Sequence, residues 1–228
     1  MEKASDRLNK LAVSATLAMT NKSRELKEQG IDVINLSIGE PDFDTPDYIK
    51  EAAKKAIDEN FTHYPPVPGY TELRKAVVNK FKRENNLDFT VDQIVVSTGA
   101  KHSIINVFLS VLNPGDEVIV PAPYWVSYVD MVKLADGTVI EIPCGIAQDF
   151  KMTAAQLKAA LNEKTRAIIF SSPSNPTGSL YSYEELKSFA EILVDYPRVI
   201  VISDEIYEHI NYVGAHQSIA QFESIRDR

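Results

Sequence analysis

From about residue 93 onward, short apolar runs rich in β-branched residues alternate with segments of helical periodicity. The apolar runs are 93–97, 117–120, 138–142, 167–170 and 199–203, and the helical segments are 100–112, 124–135, 154–161 and 183–194. Runs that are apolar on both faces do not suit a sheet with one wet side. They predict an α/β fold, a mostly parallel sheet with helices on both faces. Two of the helices carry capping-box spacing, Thr153 with Gln156 and Ser182 with Glu185, which fixes where they begin. In sheets of this class, ligands bind beyond the carboxyl ends of the strands. Chemistry is therefore expected in the residues that follow each run.

The chain before residue 93 is less regular. Ser14 reads as the N-cap of a helix that closes at Gly30, and Val33-Ile34-Asn35-Leu36 as a short strand. Thr45 and Pro46 read as N-cap and first residue of a helix whose stripe is Ile49, Ala52, Ala53, Ala56 and Ile57. A proline-rich loop, Tyr64 to Gly69, precedes a helix from Thr71 that is expected to bury Leu73, Val77, Val78 and Phe81.

Charge and cysteine usage narrow the function classes. The 24 Lys+Arg against 32 Asp+Glu give a net charge of −8, and nucleic acid needs a basic face, so it is not expected as a partner. Cys144 is the single cysteine. It can form no internal disulfide and fits the reducing cytoplasm. No run approaches the roughly 20 apolar residues of a membrane span, and the charged start Met1-Glu2-Lys3 has no signal-peptide core. No membrane partner and no metal are expected.

Four strand ends carry candidate groups. After 93–97 comes Thr98-Gly99-Ala100-Lys101, where small residues at a helix start let backbone N–H groups approach an anion. A plain tight turn would use the same residues, and the spacing is neither a P-loop nor a dinucleotide fingerprint. After the second run, Pro121-Ala122-Pro123-Tyr124-Trp125 sets the only tryptophan at a strand mouth. It could stack on a flat ring or simply fill core. After the fourth, Asn175 precedes Pro176 and is held extended, with its amide free to point inward or to serve a turn. After the fifth, Asp204 ends an apolar strand, with Tyr207 three residues on. A carboxylate there needs a cationic, metal or hydroxyl partner, unless it only caps the next turn. Together a phosphate cradle, an aromatic plate, an amide and an acid suit a flat, phosphorylated, cationic heteroaromatic such as pyridoxal 5'-phosphate.

Longer motifs carry a resemblance. They are Gly39-Glu40-Pro41-Asp42-Phe43, Tyr64 with Pro68-Gly69, Leu73-Arg74, Thr98-Gly99-Ala100-Lys101, Pro123-Tyr124-Trp125-Val126-Ser127-Tyr128, Asn175-Pro176-Thr177-Gly178 and Ser203-Asp204-Glu205-Ile206-Tyr207. In order and spacing the chain resembles the class I aminotransferases of the aspartate aminotransferase group, fold-type-I pyridoxal-phosphate enzymes, essentially from Ser14 to His209. The resemblance implies a pyridoxal-phosphate-binding large domain at 46–228, incomplete at its C-terminal side, after an N-terminal arm and small-domain contribution at 1–45. It also implies roles. Gly39 meets the substrate carboxylate, and Gly99, Ala100 and Lys101 hold the cofactor phosphate. Trp125 stacks on the ring and borders substrate, and Asn175 and Tyr207 bond the phenolic oxygen, Asn175 also facing substrate. Asp204 pairs with the ring nitrogen, and Tyr64 crosses to the phosphate of a neighbouring subunit in a homodimer. Cis bonds are implied at Ala122-Pro123 and Asn175-Pro176. The implied reaction is transamination between an amino acid such as aspartate and a 2-oxo acid.

One departure is decisive. In the family the Schiff-base lysine follows the Asp-x-x-Tyr segment, whereas here the last lysine is Lys187, before Asp204. The family's carboxylate-binding arginines and the two strands that enter the middle of its seven-stranded sheet also belong beyond Arg228. The 228 residues are therefore expected to be an incomplete domain, part of a longer protein or completed by another chain, and inactive alone. A second departure is local. Relatives that also act on prephenate carry a basic residue just before the Ser-Ala-Thr segment, where this chain has Ala12 and Val13, with Lys10 near. This weighs against prephenate. The rival readings are another fold-type-I activity, such as a β-lyase, and a non-catalytic truncated binding protein.

Overall fold

A computed structural model describes residues 4–11, 15–36, 39 and 42–228. The chain packs as two compact units, Ala12–Tyr70 and, together, Met1–Leu11 with Thr71–Arg228. These units are defined by packing and divide at other positions than the 45/46 boundary expected from sequence.

In the larger unit, helix α1 (Asp6–Asn9) is capped by Ser5, whose hydroxyl accepts from the Leu8 N–H. In the smaller unit lie α2 (Ala15–Glu28) and α3 (Asp47–Asp58). Gly30 ends α2 with φ +79°, and the Ile31 N–H returns to the Leu26 carbonyl, the left-handed closure that a glycine makes cheap. The expected N-cap Ser14 lies outside the described residues. Residues 33–36 form no strand, and Ile34 and Leu36 are 85% and 90% exposed. A strand needs a neighbour to take its N–H and C=O groups, and an apolar run alone does not supply one. Helix α3 begins one residue later than expected, with Pro46 at the N-cap position, and its apolar stripe is not buried.

The larger unit holds the sheet. Helix α4 (Thr71–Lys80) leads through a π-helical turn (Phe81–Asn85). Val77, Val78 and Phe81 are half-buried and Leu73 is 47% exposed, so this helix buries less than its pattern predicts. Then follow α5 (Ala100–Val111), β1 (Glu117–Ala122), α6 (Ser127–Leu134), β2 (Thr138–Pro143), α7 (Ala154–Ala160), β3 (Thr165–Ser171), α8 (Tyr183–Leu193) and β4 (Ile200–Asp204). The four strands are all parallel, in the order β2-β1-β3-β4. The expected fifth strand at 93–97 is absent. Ile94 is buried, Val95 is 68% exposed, and no strand pairs with the segment. The two strands that the resemblance sets between this segment and the rest are not in the sheet, so the apolar run has no edge to join.

Alternation along the central strands feeds two cores. Ile119, Ile168 and Phe170 face Leu157 of α7 and Leu186, Phe189 and Leu193 of α8. Val118, Val120, Ala167 and Ile169 face Ile104 and Phe108 of α5 and Tyr128 and Val132 of α6. Helices thus cover both faces, as the two-sided apolar runs require. The predicted capping boxes are present at Thr153 and Gln156 and at Ser182 and Glu185.

Candidate active site

The site is built where the sheet's carboxyl ends meet their loops. At the end of β1 the Ala122-Pro123 bond is cis, and so are Ser172-Pro173 and Asn175-Pro176 after β3. The first and third match the expectation, and Ser172-Pro173 was not foreseen. Helix α6 starts at Ser127 rather than at 124, which leaves Tyr124 and Trp125 in the loop ahead of it.

Asp204, the last residue of β4, is half-buried. Its Oδ2 accepts a 2.5 Å hydrogen bond from the Tyr128 hydroxyl, and its Oδ1 a 3.3 Å bond from the Ile206 N–H. Among the described residues no lysine, arginine or histidine pairs with it. A carboxylate removed from water and met only by neutral donors remains under-compensated, and a cation is the partner that fits. The Asp204 carbonyl accepts from the Ser172 N–H at 3.1 Å, which ties β4 to the loop after β3.

That loop carries Asn175. Its side-chain N–H donates to the Tyr207 hydroxyl at 3.2 Å, so two of the predicted residues meet although 32 positions separate them. The loop is braced from behind. The Ser171 hydroxyl donates to the Pro173 carbonyl, and the Ser172 hydroxyl accepts from the Tyr181 N–H. A small cleft is lined by Pro123, Tyr128, Ser171, Ser174 and Asn175 among others.

Trp125 is half-buried and packs edge-on against Tyr128, ring centroids 5.5 Å apart. The Lys101 ammonium lies over the Trp125 ring at 4.9 Å, a cation–π contact. Lys101 belongs to the first turn of α5, whose N-cap is Gly99 at φ +81°. A residue with a Cβ is strained at that angle, and an added Cβ would meet nothing within 4 Å. The first N–H groups of a helix lack intrahelical acceptors, so Ala100 and Lys101 offer donors to an anion. The Thr98 N–H is already engaged by His102 Nδ1 at 3.2 Å.

The larger unit therefore brings together Lys101 with Trp125, Trp125 with Tyr128, Tyr128 with Asp204, and Asn175 with Tyr207. Gly39 and Tyr64 belong to the smaller unit. Gly39 is exposed, and Tyr64 is 103% exposed. Tyr128 was missed as a site residue from sequence, although it stands in the quoted Pro123-to-Tyr128 motif. Its signal was the spacing Trp125-x-x-Tyr128, closed by a turn in which the Tyr128 N–H donates to the Trp125 carbonyl at 3.0 Å. Burial, and then the Asp204 charge, push the Tyr128 phenol well above its ordinary titration range. Tyr124 donates to Glu141 at 2.8 Å, and burial followed by that bond pushes its phenol up to about 12.

The donor set fits a phosphorylated pyridine: a helix start for the phosphate, an indole face, a polar pair for a phenolic oxygen and a carboxylate lacking a cation. Comparisons with known proteins give the family. The chain is 52% identical over 206 residues to an aspartate/prephenate aminotransferase of Cereibacter sphaeroides, covering 90% of this chain and 52% of the relative. It is 50% identical over 225 residues to a bifunctional aspartate aminotransferase and glutamate/aspartate-prephenate aminotransferase of Petunia hybrida, covering 98% and 47%. The fold is similar to an aspartate aminotransferase of Rhizobium meliloti, with TM-score 0.94 and 40% identity over 98% of this chain and 56% of that one. It is also similar to the Thermus thermophilus enzyme with maleate, TM-score 0.93, 42% identity, covering 97% and 58%. The chain spans about half the length of the curated relatives it matches. Residues 31–225 match the model of the class I and II aminotransferases, and the chain belongs to that family.

Proposed function

We propose that these residues are the cofactor-binding part of a pyridoxal-phosphate-dependent aminotransferase of the aspartate type. It acts on an amino acid such as aspartate and a 2-oxo acid, as a homodimer in the cytoplasm. The observation that carries this reading is Asp204: a half-buried carboxylate at a strand mouth, met among the described residues only by neutral donors, beside the Asn175–Tyr207 pair. Bound there, the cofactor supplies an electron sink for bonds broken at the substrate α-carbon.

The chain's own groups would do the holding. Asp204 would keep the ring nitrogen protonated, and Trp125 would lie against the ring face. Asn175 and Tyr207 would share the phenolic oxygen. The N–H groups at Ala100 and Lys101 would take the phosphate, assisted by the α5 dipole, while the Gly99 N–H is engaged by the Ser97 carbonyl at 2.8 Å and Gly99 serves as the turn. Gly39 would meet the substrate carboxylate, and Tyr64 would reach a neighbouring subunit's phosphate. The relatives' names also carry prephenate, so prephenate belongs among the 2-oxo acids to assay despite Ala12 and Val13. A cytoplasmic setting suits Cys144, a buried free thiol. Among the described residues no helix is long and apolar enough to cross a membrane.

No lysine follows Lys187, so the 228 residues alone are expected to bind the cofactor without a covalent anchor and without turnover. The test is a titration with pyridoxamine 5'-phosphate, which has no aldehyde to trap stray lysines. Saturable binding that Asp204→Asn weakens at least tenfold supports the reading. Binding indifferent to Asp204→Asn refutes it. Transamination of aspartate with 2-oxoglutarate by these residues alone would overturn the lysine argument.

A further inference from the structure

We infer that Tyr128 is a positioning residue of this site: its hydroxyl fixes the Asp204 carboxylate in the orientation that receives a cationic ring. The inference rests on the cofactor reading above and adds to it a residue that does not itself touch the cofactor.

The argument begins with the tyrosine. Tyr128 is 1% exposed and opens helix α6. Its ring sits in the core formed by Val118, Val120, Ala167 and Ile169 from β1 and β3. A buried hydroxyl must find a partner, and a backbone carbonyl would satisfy it. This one instead reaches across 76 positions to Asp204, at 2.5 Å. That is the short end of the range for a hydroxyl donating to a carboxylate.

Among the described residues, the other oxygen of Asp204 has only the 3.3 Å bond from the Ile206 N–H. The short bond therefore dominates the carboxylate's orientation. Its donor stands on a rigid base, because the ring is held by core side chains and by the edge contact with Trp125. The two groups expected to touch the cofactor ring, Trp125 and Asp204, are thus both referenced to the same buried tyrosine. A group whose rotamer is set before binding loses less freedom on binding. The phenol also stays protonated through any working pH, since burial and the nearby carboxylate both oppose its ionisation. It remains a donor under all conditions in which Asp204 is a carboxylate.

The test uses the 228-residue chain, with pyridoxamine 5'-phosphate as the probe. Wild type should show a slowly exchanging, far-downfield hydroxyl proton by NMR, absent from Tyr128→Phe and lost in Asp204→Asn. A proton that survives Asp204→Asn overturns the pairing. Tyr128→Phe should weaken binding about tenfold, as the loss of a hydrogen bond to a charged group implies. The same change should have no further effect in an Asp204→Asn background. An equal loss in both backgrounds means that Tyr128 only supports the fold, and it overturns the inference. Should Tyr128→Phe misfold, 3-fluorotyrosine at position 128 keeps the shape and strengthens the donor. It should move both the hydroxyl proton and the absorption band of the bound probe, and an unmoved band refutes the role. Failure of wild type to bind the probe defeats the cofactor reading and the role built on it. Wild-type binding unaffected by Tyr128→Phe defeats the role alone.

Discussion

Tyr181→Phe isolates one hydrogen bond behind the site. The phenol oxygen of Tyr181 accepts from the Met152 N–H at 2.8 Å, and the two residues are 6% and 1% exposed. The ring also packs edge-on against Phe170 and Phe189, centroids 5.3 and 5.4 Å away. Phenylalanine keeps those contacts and leaves almost no cavity. What it removes is the acceptor, leaving the N–H of buried Met152 without its partner. The cost of such a group is about 1–3 kcal/mol. With a urea slope of about 2–3 kcal/mol per molar, the midpoint should fall by roughly 0.3–1.5 M. Trp125 is the only tryptophan and belongs to the larger unit, so its fluorescence reports the unfolding of that unit. Hydrogen exchange supplies the local reading: the Met152 amide should lose protection beyond the global change. The backbone bond from the Tyr181 N–H to the Ser172 hydroxyl survives the substitution, so the Asn175 loop should keep its place. A midpoint unchanged within about 0.2 M, or a Met152 amide as protected as in wild type after correction for global stability, would refute the reasoning.

Other perturbations test other layers. Phe189→Ala, at 1% exposure between Tyr181 and Phe170, should cost about 3–5 kcal/mol in the same urea melt. Ser182→Ala removes the hydroxyl that accepts from the Glu185 N–H and should cost about 1 kcal/mol. Gly99→Ala forces a Cβ onto φ +81° and should cost about 1–2 kcal/mol, with weaker binding of pyridoxamine 5'-phosphate. For pH, burial opposes ionisation of Glu185, but the bonds from Lys151 and Ser182 outweigh it and hold its carboxyl below the usual range. A depressed folded value means stability that is present above the ordinary carboxylate range and lost as pH falls through the folded value. Urea midpoints at about pH 7 and about pH 4 should therefore differ more for wild type than for Lys151→Met.

What could be read from the sequence follows from where its physics is local. Continuous apolar runs found β1 to β4, because strands covered on both faces must be apolar on both faces. Capping boxes found the starts of α7 and α8, because three residues suffice to close them. The segment 93–97 misled because it carries the composition of a strand, while a strand exists only with a neighbour, and pairing is not encoded in the run itself. Leu73 misled similarly: periodicity says which side of a helix is apolar, not whether anything covers it. Asn175 and Tyr207 were legible as candidates, and their mutual bond was not, since it closes over 32 positions through the fold of two strand ends. Tyr128 stood in the sequence only as the last residue of the Pro123-to-Tyr128 motif. Its second partner, Asp204, arrives from the far side of β3.

The sheet order explains why that second partner matters. Asp204 stands on β4, which ends the order β2-β1-β3-β4. Every residue of β4 is only half-buried, while β1 and β3 are buried along most of their length. On one side β4 is held by its ladder with β3 and by the Ser172 N–H on the Asp204 carbonyl. On the other, the Val201 N–H finds the Arg228 carbonyl at 2.8 Å. Those bonds position backbone, and backbone alone leaves a carboxylate free about two side-chain torsions. The remaining freedom is removed by a donor that is itself immobile. Tyr128 meets this requirement because α6 packs on β1 and β2 and its ring sits among Val118 and Val120 of β1 and Ala167 and Ile169 of β3, so its hydroxyl is anchored to the best-buried part of the sheet. A strand only half-buried along its length thus carries the most consequential charge, and a hydrogen bond from the interior supplies the rigidity that its own position does not.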